Sequence, residues 1–250
     1  MKVGFAQDIG QRLSFEDTHV ILESFAGFRN KSFFAIYDGH GGKEASEMAA
    51  KILHRSLLVE LKKGKDTPYA LEKAFIDTDR QIEKEVESGT TAVVAFIDGK
   101  ELFVANTGDS RGVLDRGELG VKRLSHDHKA DDPDEAKRIE ALGGFVKPKT
   151  AFDVARVNGI IAIARSLGDK EFGELVSAKP YISETKLTKD DKRLILACDG
   201  IWDVISDEEA VGFIKNIKDP QFGSDTLKDE ALGRGSTDNI SVMVIDFFDK

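Results

Sequence analysis

The chain is predicted to be an α+β protein on three observations: short β-type runs that end at Gly, Asn or Asp, turn signals between neighbouring runs, and helical periodicities that come in separate pairs rather than after every strand. In chain order, the region of His19 reads as a strand, and the run 32–37 (Ser-Phe-Phe-Ala-Ile-Tyr) is a strand stopped by Asp38-Gly39. Ala45, Met48, Ile52 and Leu61 then recur at helical spacing, as do Leu71, Phe75, Thr78, Ile82 and Val86 at steps of three and four. Each segment would lay one apolar face on a sheet. Runs 91–97 and 101–106 flank Asp98-Gly99, a hairpin signal, and Arg116-Gly117 after the run 111–114 closes another. Antiparallel neighbours follow.

A third helix is predicted over 133–142, because Pro133 has no N–H to waste in a first turn and Gly143-Gly144 stops it. After a strand at 193–198, a fourth helix starts at Ser206 as N-cap, with Glu209 completing a capping box, and runs to about Lys215. The segment 218–234 is polar and weakly patterned and is given no element; 240–248 is the last strand. With no internal repeat and no low-complexity linker, residues 1–250 are expected to form one domain.

The chain has 250 residues, 36 Lys+Arg against 45 Asp+Glu, a net charge of −9 and 40% hydrophobic content. A broad nucleic-acid surface needs a basic stripe, so none is expected. No apolar stretch approaches the roughly 18 residues that cross a bilayer, and the start lacks a signal-peptide core or a transit pattern. An intracellular location, cytoplasmic or nuclear, is expected, with no membrane contact and a monomeric state. Cys198 is the single cysteine, which excludes a disulfide framework within the chain and a Cys-rich zinc cage.

What stands out is where the acids fall: Asp38, Asp109, Asp199 with Asp203, and Asp238 all sit at the ends of apolar runs. Any one of them is ordinary turn chemistry. Four such places together suggest carboxylates converging at one sheet end, where they would repel unless a cation lay among them. Oxygen donors without a Cys or His cluster favour hard ions, Mg²⁺ or Mn²⁺, over Zn²⁺. Two ions sharing a carboxylate can generate hydroxide near neutral pH and clamp a phosphoryl group. Near the N-terminus, Arg12 lies within five residues of Glu16 and Asp17, a spacing that could place a phosphate-binding guanidinium beside such ions and equally fits an exposed loop with a surface salt bridge.

These residues carry a resemblance that spans nearly the whole chain. Arg12 to Asp17, Asp38-Gly39-His40-Gly41-Gly42, Ser88 to Ala92, Asn106 to Arg111 and Asp127-His128-Lys129 occur in order. Arg156 to Gly159, Ala164 to Asp169, Cys198 to Asp203 and Asp238-Asn239 follow. The chain resembles the metal-dependent serine/threonine protein phosphatases of the protein phosphatase 2C family. The resemblance implies a four-layer α-β-β-α sandwich of two antiparallel sheets flanked by helix pairs, with a dinuclear Mn²⁺/Mg²⁺ site at one end. It implies that Asp38 bridges two ions, the Gly39 carbonyl binds one, Asp199 and Asp238 bind the other, and Glu16 and Asp17 hold metal-bound waters. Asp109 and Asp203 match positions of a third, weaker ion, Arg12 the phosphate-binding arginine and His40 a general acid. The reaction implied is direct attack of a metal-activated water on phosphoserine or phosphothreonine of protein substrates.

Competing readings are weaker on the residues. Gly108-Asp109-Ser110-Arg111-Gly112 fits a serine-hydrolase elbow, but a strand and turn follow where a helix is required. A cysteine phosphatase wants an arginine six residues after Cys198, and position 204 is Val. The alternative of a catalytically inactive scaffold predicts lost metal ligands, whereas Asp38, Asp199 and Asp238 are all present. Arg165 is left between a substrate-orienting role and a structural salt bridge, and His19, His54, His126 and His128 are given no catalytic role. The short segments 147–155 and 219–234 leave substrate recognition open, and no appended regulatory domain is expected.

Overall fold

The computed structural model describes residues 1–151 and 153–247. The chain runs through β1 (Lys2–Asp8), β2 (Thr18–Leu22), β3 (Lys31–Tyr37) and the two-residue β4 (Gly39–His40), then α1 (Glu44–Lys62) and α2 (Thr67–Glu85). Strands β5 (Gly89–Thr90), β6 (Ala92–Asp98), β7 (Glu101–Thr107), β8 (Arg111–Asp115) and β9 (Val121–Arg123) follow, then α3 (Pro133–Ala141). Short pairs β10 (Val146–Lys147), β11 (Arg156–Val157) and β12 (Leu167–Gly168) lead to β13 (Tyr181–Lys186) and β14 (Arg193–Ala197). The chain closes with the single turn α4 (Asp199–Trp202), α5 (Asp207–Ile214), α6 (Pro220–Gly233) and β15 (Ile240–Asp246).

Two five-stranded antiparallel sheets, ordered β1-β15-β14-β8-β9 and β13-β7-β6-β3-β2, carry the molecule. Their central strands are apolar on both sides because both faces are buried, which is why they read as continuous apolar runs rather than as a strict alternation. On β3, Phe34 and Ile36 meet Leu194, Leu196 and Met243 of the other sheet. Phe33, Ala35 and Tyr37 of the same strand point the other way, onto Leu53, Leu57, Leu71 and Phe75 of α1 and α2. Ile195, Val242 and Val244 cover the outer face of the sheet that contains β14 and β15 and pack on Trp202, Ala210, Ile214 and Leu227 from α4, α5 and α6. The α+β class is thus as expected, with helices on the outer faces of antiparallel sheets.

Local signals act as the chemistry requires. Asp132 caps α3 ahead of Pro133, and Ser206 and Glu209 form the reciprocal capping box of α5. Asp98 pairs with Glu101, so the hairpin loop is Gly99-Lys100, one residue later than Asp98-Gly99, with Gly99 at φ 62°. A 3₁₀ turn, Gly117–Leu119, closes β8 onto β9.

Three expectations are corrected. The segment left without an element holds α6, begun by the Asp219 cap and Pro220; its buried face is small (Gly223, Ser224, Leu227, Ala231), so no strong apolar stripe shows. Edge strands β1 and β13 went unread because they are mostly polar or half-exposed and take their ladder from β15 and β7. The last strand ends at Asp246, and Phe248 lies outside the described residues. No helix among the described residues is long and apolar enough to cross a membrane.

Candidate metal centre and phosphate cleft

Antiparallel pairing brings the acid-bearing strand ends together. Ala197 of β14 pairs with Val242 of β15 and with Arg111 of β8, so Asp199, Asp238 and Asp109 come from neighbouring strand ends of one sheet or the turns beside them. In the other sheet Thr18 pairs with Tyr37, which sets Asp17 next to Asp38. Nine of the ten residues singled out in the sequence (Arg12, Glu16, Asp38, Gly39, His40, Asp109, Asp199, Asp203, Asp238) line one open cleft of about 970 Å³. Asp17 lies behind it, 7% exposed.

Tight backbone fitting holds this arrangement. The carbonyl of Asp38 accepts from Thr91 N–H at 2.8 Å and Thr90 Oγ1 at 3.0 Å. A Cβ on Gly39 would lie 2.5 Å from the Glu16 carbonyl oxygen, so only glycine lets the two segments touch. Asn239 clamps the N-terminal loop: its Nδ2 donates to the carbonyls of Ile9 and Ser14, and its Oδ1 accepts from Glu16 N–H. The α4 turn that carries Asp199 and Asp203 is pinned by Trp202 Nε1 donating to the Ala197 carbonyl at 2.9 Å and by Ser236 Oγ donating to Gly200. Beneath it Arg111 lies over the Trp202 ring and bridges Asp127 and Asp207, each at 2.5 Å.

The electrostatics are those of a site short of positive charge. Burial, then Asp17, Asp199, Asp109 and Asp238, push the Asp38 carboxyl well above the usual range. Burial, then Asp109, Asp203 and Asp238, do the same to Asp199. Asp17 is pushed to about 6, chiefly by burial. Both of its carboxylate oxygens are buried without a hydrogen bond of normal geometry, Ser241, Cys198 and Asp38 being the nearby polar groups. Burial also raises Asp109, while Lys129 opposes it from 3.7 Å and pairs with Asp203 at 3.1 Å.

An orphaned buried carboxylate beside mutually repelling acids fits a hard divalent cation held by oxygen donors. Ligand atoms of Asp38, Asp199 and Cys198 lie within 4.8 Å of one another. The thiol is no thiolate donor: it is fully buried, raised well above its ordinary range by burial, donates to the Asn239 carbonyl and accepts from Ser241 N–H.

Arg12 stands at the cleft mouth, its Nη2 2.5 Å from Asp238 Oδ2. His40 Nε2 is 2.7 Å from Asp169 Oδ2, a partner to which no role was given on sequence. Glu16 accepts from Ser14 Oγ and from Gly42 N–H. Arg165 falls on the structural side, bonding Glu135 at 2.8 and 2.5 Å and the Lys179 carbonyl. His19 stacks on Phe5 and His54 sits near Phe33, away from the cleft lining. Sequence reasoning missed Asp169, Lys129 and Asn239 as working parts; each stands inside a matched motif, but its contact is made by folding.

The sequence profile of the family described as protein phosphatase 2C matches residues 1–240. The protein phosphatase 2C homolog 1 of Schizosaccharomyces pombe is 39% identical over 256 residues, covering 97% of this chain and 72% of that protein. The protein phosphatase 2C homolog 1 of Saccharomyces cerevisiae is 36% identical over 269 residues, covering 98% of this chain and 92% of that protein. In fold, the chain is similar to the crystal structure of serine-threonine phosphatase 2C from Toxoplasma gondii, with a TM-score of 0.85 at 23% identity over 98% of this chain and 94% of that one. The chain therefore belongs to the protein phosphatase 2C family of serine/threonine protein phosphatases.

Proposed function

We propose that residues 1–250 act as one catalytic domain that hydrolyses phosphoserine and phosphothreonine in proteins, using two Mn²⁺ or Mg²⁺ ions with a third held more weakly. The observation that supports it most is the set of carboxyls gathered at a cleft with Arg12 and His40, Asp17 and Asp109 buried and Asp38 and Asp199 half-buried, each raised by desolvation and by its acidic neighbours. In this reading Asp38 with the Gly39 carbonyl, Asp199 and Asp238 would hold the two ions, Glu16 and Asp17 would hold their waters, and Asp109 and Asp203 the third. Bound divalent ions supply a nucleophilic water near neutral pH and neutralise charge on the phosphoryl group. Arg12 exchanges its bond to Asp238 for the phosphoryl oxygens and stabilises the charge that builds there. His40 donates a proton to the departing alkoxide, a poor leaving group. The substrates would be phosphoproteins met by a monomer inside the cell, in cytoplasm or nucleus, without nucleic acid or membrane.

The test is hydrolysis of a phosphothreonine peptide by chelator-stripped protein, with and without added Mn²⁺ or Mg²⁺. Activity restored by metal in the native chain and absent in Asp199→Asn is the expected result. A folded protein inert at every metal concentration would favour a binding scaffold instead.

A further inference from the structure

His40 is held by a three-stranded ribbon, β12-β5-β4, outside the two large sheets. In it Gly89 is the centre: it pairs with His40 on one side and with Gly168 on the other. A Cβ on residue 89 would lie 2.2 Å from Asp169 Oδ2, so the missing side chain is what lets Asp169 reach across the middle strand to the imidazole. Asp169 is 6% exposed and has a left-handed backbone, φ 55°, following Gly168 at φ 91°. Such a conformation in a non-glycine residue costs about 1 kcal/mol or more and persists where its surroundings over-determine it. Here Asp79 Oδ1 of α2 accepts the Gly168 N–H at 2.8 Å, and Ser166 Oγ donates to Asp169 Oδ2 at 2.5 Å.

We propose that Asp169 is a positioning residue for His40, fixing the ring so that Nε2 keeps its proton against the carboxylate and Nδ1 serves the leaving oxygen. A carboxylate only accepts, so the hydrogen of the 2.7 Å contact belongs to Nε2. Among the described residues Nδ1 has no hydrogen-bond partner, which leaves it for the substrate. The inference rests on His40 being the general acid. As the attacking water oxygen bonds phosphorus, the phosphorus–oxygen bond to the serine or threonine breaks. The Nδ1–H bond breaks with it and an O–H bond forms on the departing residue. The Nε2 proton stays on nitrogen and points at Asp169, the protons of the attacking water leave with the phosphate product, and Nδ1 regains a proton from solvent. The arrangement has the logic of any base or acid whose tautomer and aim are set by a carboxylate behind it.

The test compares Asp169→Ala and Asp169→Asn, each in the native and in the His40→Ala background, on a phosphothreonine peptide and on p-nitrophenyl phosphate at saturating Mn²⁺. Asp169→Ala is expected to lower kcat on the peptide by about 10–100-fold, with a much smaller loss on the nitrophenyl ester, whose leaving group needs no proton. KM and the Mn²⁺ affinity measured by calorimetry should stay unchanged. Asp169→Asn, whose amide oxygen still accepts from Nε2–H, should recover part of the loss, and in His40→Ala the same substitutions should have no effect on kcat. Equal losses on both substrates, or the same loss without His40, would overturn the proposal. The ring of His40 in the unmodified protein gives a second readout by ¹⁵N NMR. A neutral form protonated at Nε2 supports the assignment, and one protonated at Nδ1 overturns it even where the variants fail to fold. If His40→Ala itself shows no leaving-group dependence, the general-acid reading falls, and the ring tautomer still decides whether Asp169 positions it.

Discussion

Asp199 is a carboxyl that the folded chain would rather keep protonated, since burial and Asp109, Asp203 and Asp238 all oppose its charge. Asn has nearly its shape and none of that cost. Asp199→Asn is therefore expected to raise the melting temperature of chelated protein by about 2–4 °C, the shift that about 1 kcal/mol produces in a domain of this size. The same substitution should weaken Mn²⁺ binding by more than tenfold in a calorimetric titration. Unchanged affinity would remove Asp199 from the ligands. At this scale the sequence was most readable, because a strand-end acid keeps its identity and its place in a short motif. Asp169 was not readable as the partner of His40, 129 positions away, because nothing local distinguishes it from an acid in an ordinary turn.

The elements divide by how much of their stability is local. Helices α3 and α5 announce themselves through Pro133, which spares a first-turn N–H, and through Ser206 with Glu209, whose cap answers orphan N–H groups of the first turn. Edge strands β1 and β13 carry no such signal, their hydrogen bonds being those of the neighbour. The α4 turn is the element on which the site depends most. A Cβ on Gly200 would lie 2.1 Å from the Asn239 carbonyl oxygen, so the turn can approach the start of β15 only with glycine there. Gly200→Ala is expected to destabilise the protein by about 1–3 kcal/mol. By drawing Asp199 away from Asp238 it should also cost about tenfold in Mn²⁺ affinity. A variant with a lower melting temperature and native metal binding would show that the turn tolerates the shift.

For the molecule as a whole, the buried acids make stability depend on pH in a definite sense. Asp17 holds its proton to about 6 in the folded chain, against about 4 when unfolded, and burial with neighbouring acids raises Asp38 and Asp199 well above the ordinary carboxylate range. Where the unfolded chain has released a proton that the folded chain keeps, these groups cost stability as pH rises, Asp17 between about 4 and about 6. Divalent ions bound among these acids would take the place of those protons. The gain in melting temperature on adding Mn²⁺ to chelated protein should thus be small at pH 5 and grow towards pH 7.5. His128, lowered to about 4 by burial, acts in the opposite sense as pH falls, but it does so with or without metal and cancels in the difference. A gain independent of pH would mean that the acids are not what the ion binds.

The amino-acid order alone determined the α+β class and the strongly patterned strands and helices, because apolar period, caps and turn residues act within a few positions, and its short motifs singled out ten candidate site residues through their resemblance to a family. Only the tertiary structure decided that nine of those residues share a cleft with Asp17 behind them, that α6 is a helix, and that Arg165 is spent on Glu135. It also decided that Asp169 reaches His40 over Gly89. Those outcomes rest on pairing between distant strands and on burial, and both are properties of neighbours that a linear sequence does not contain.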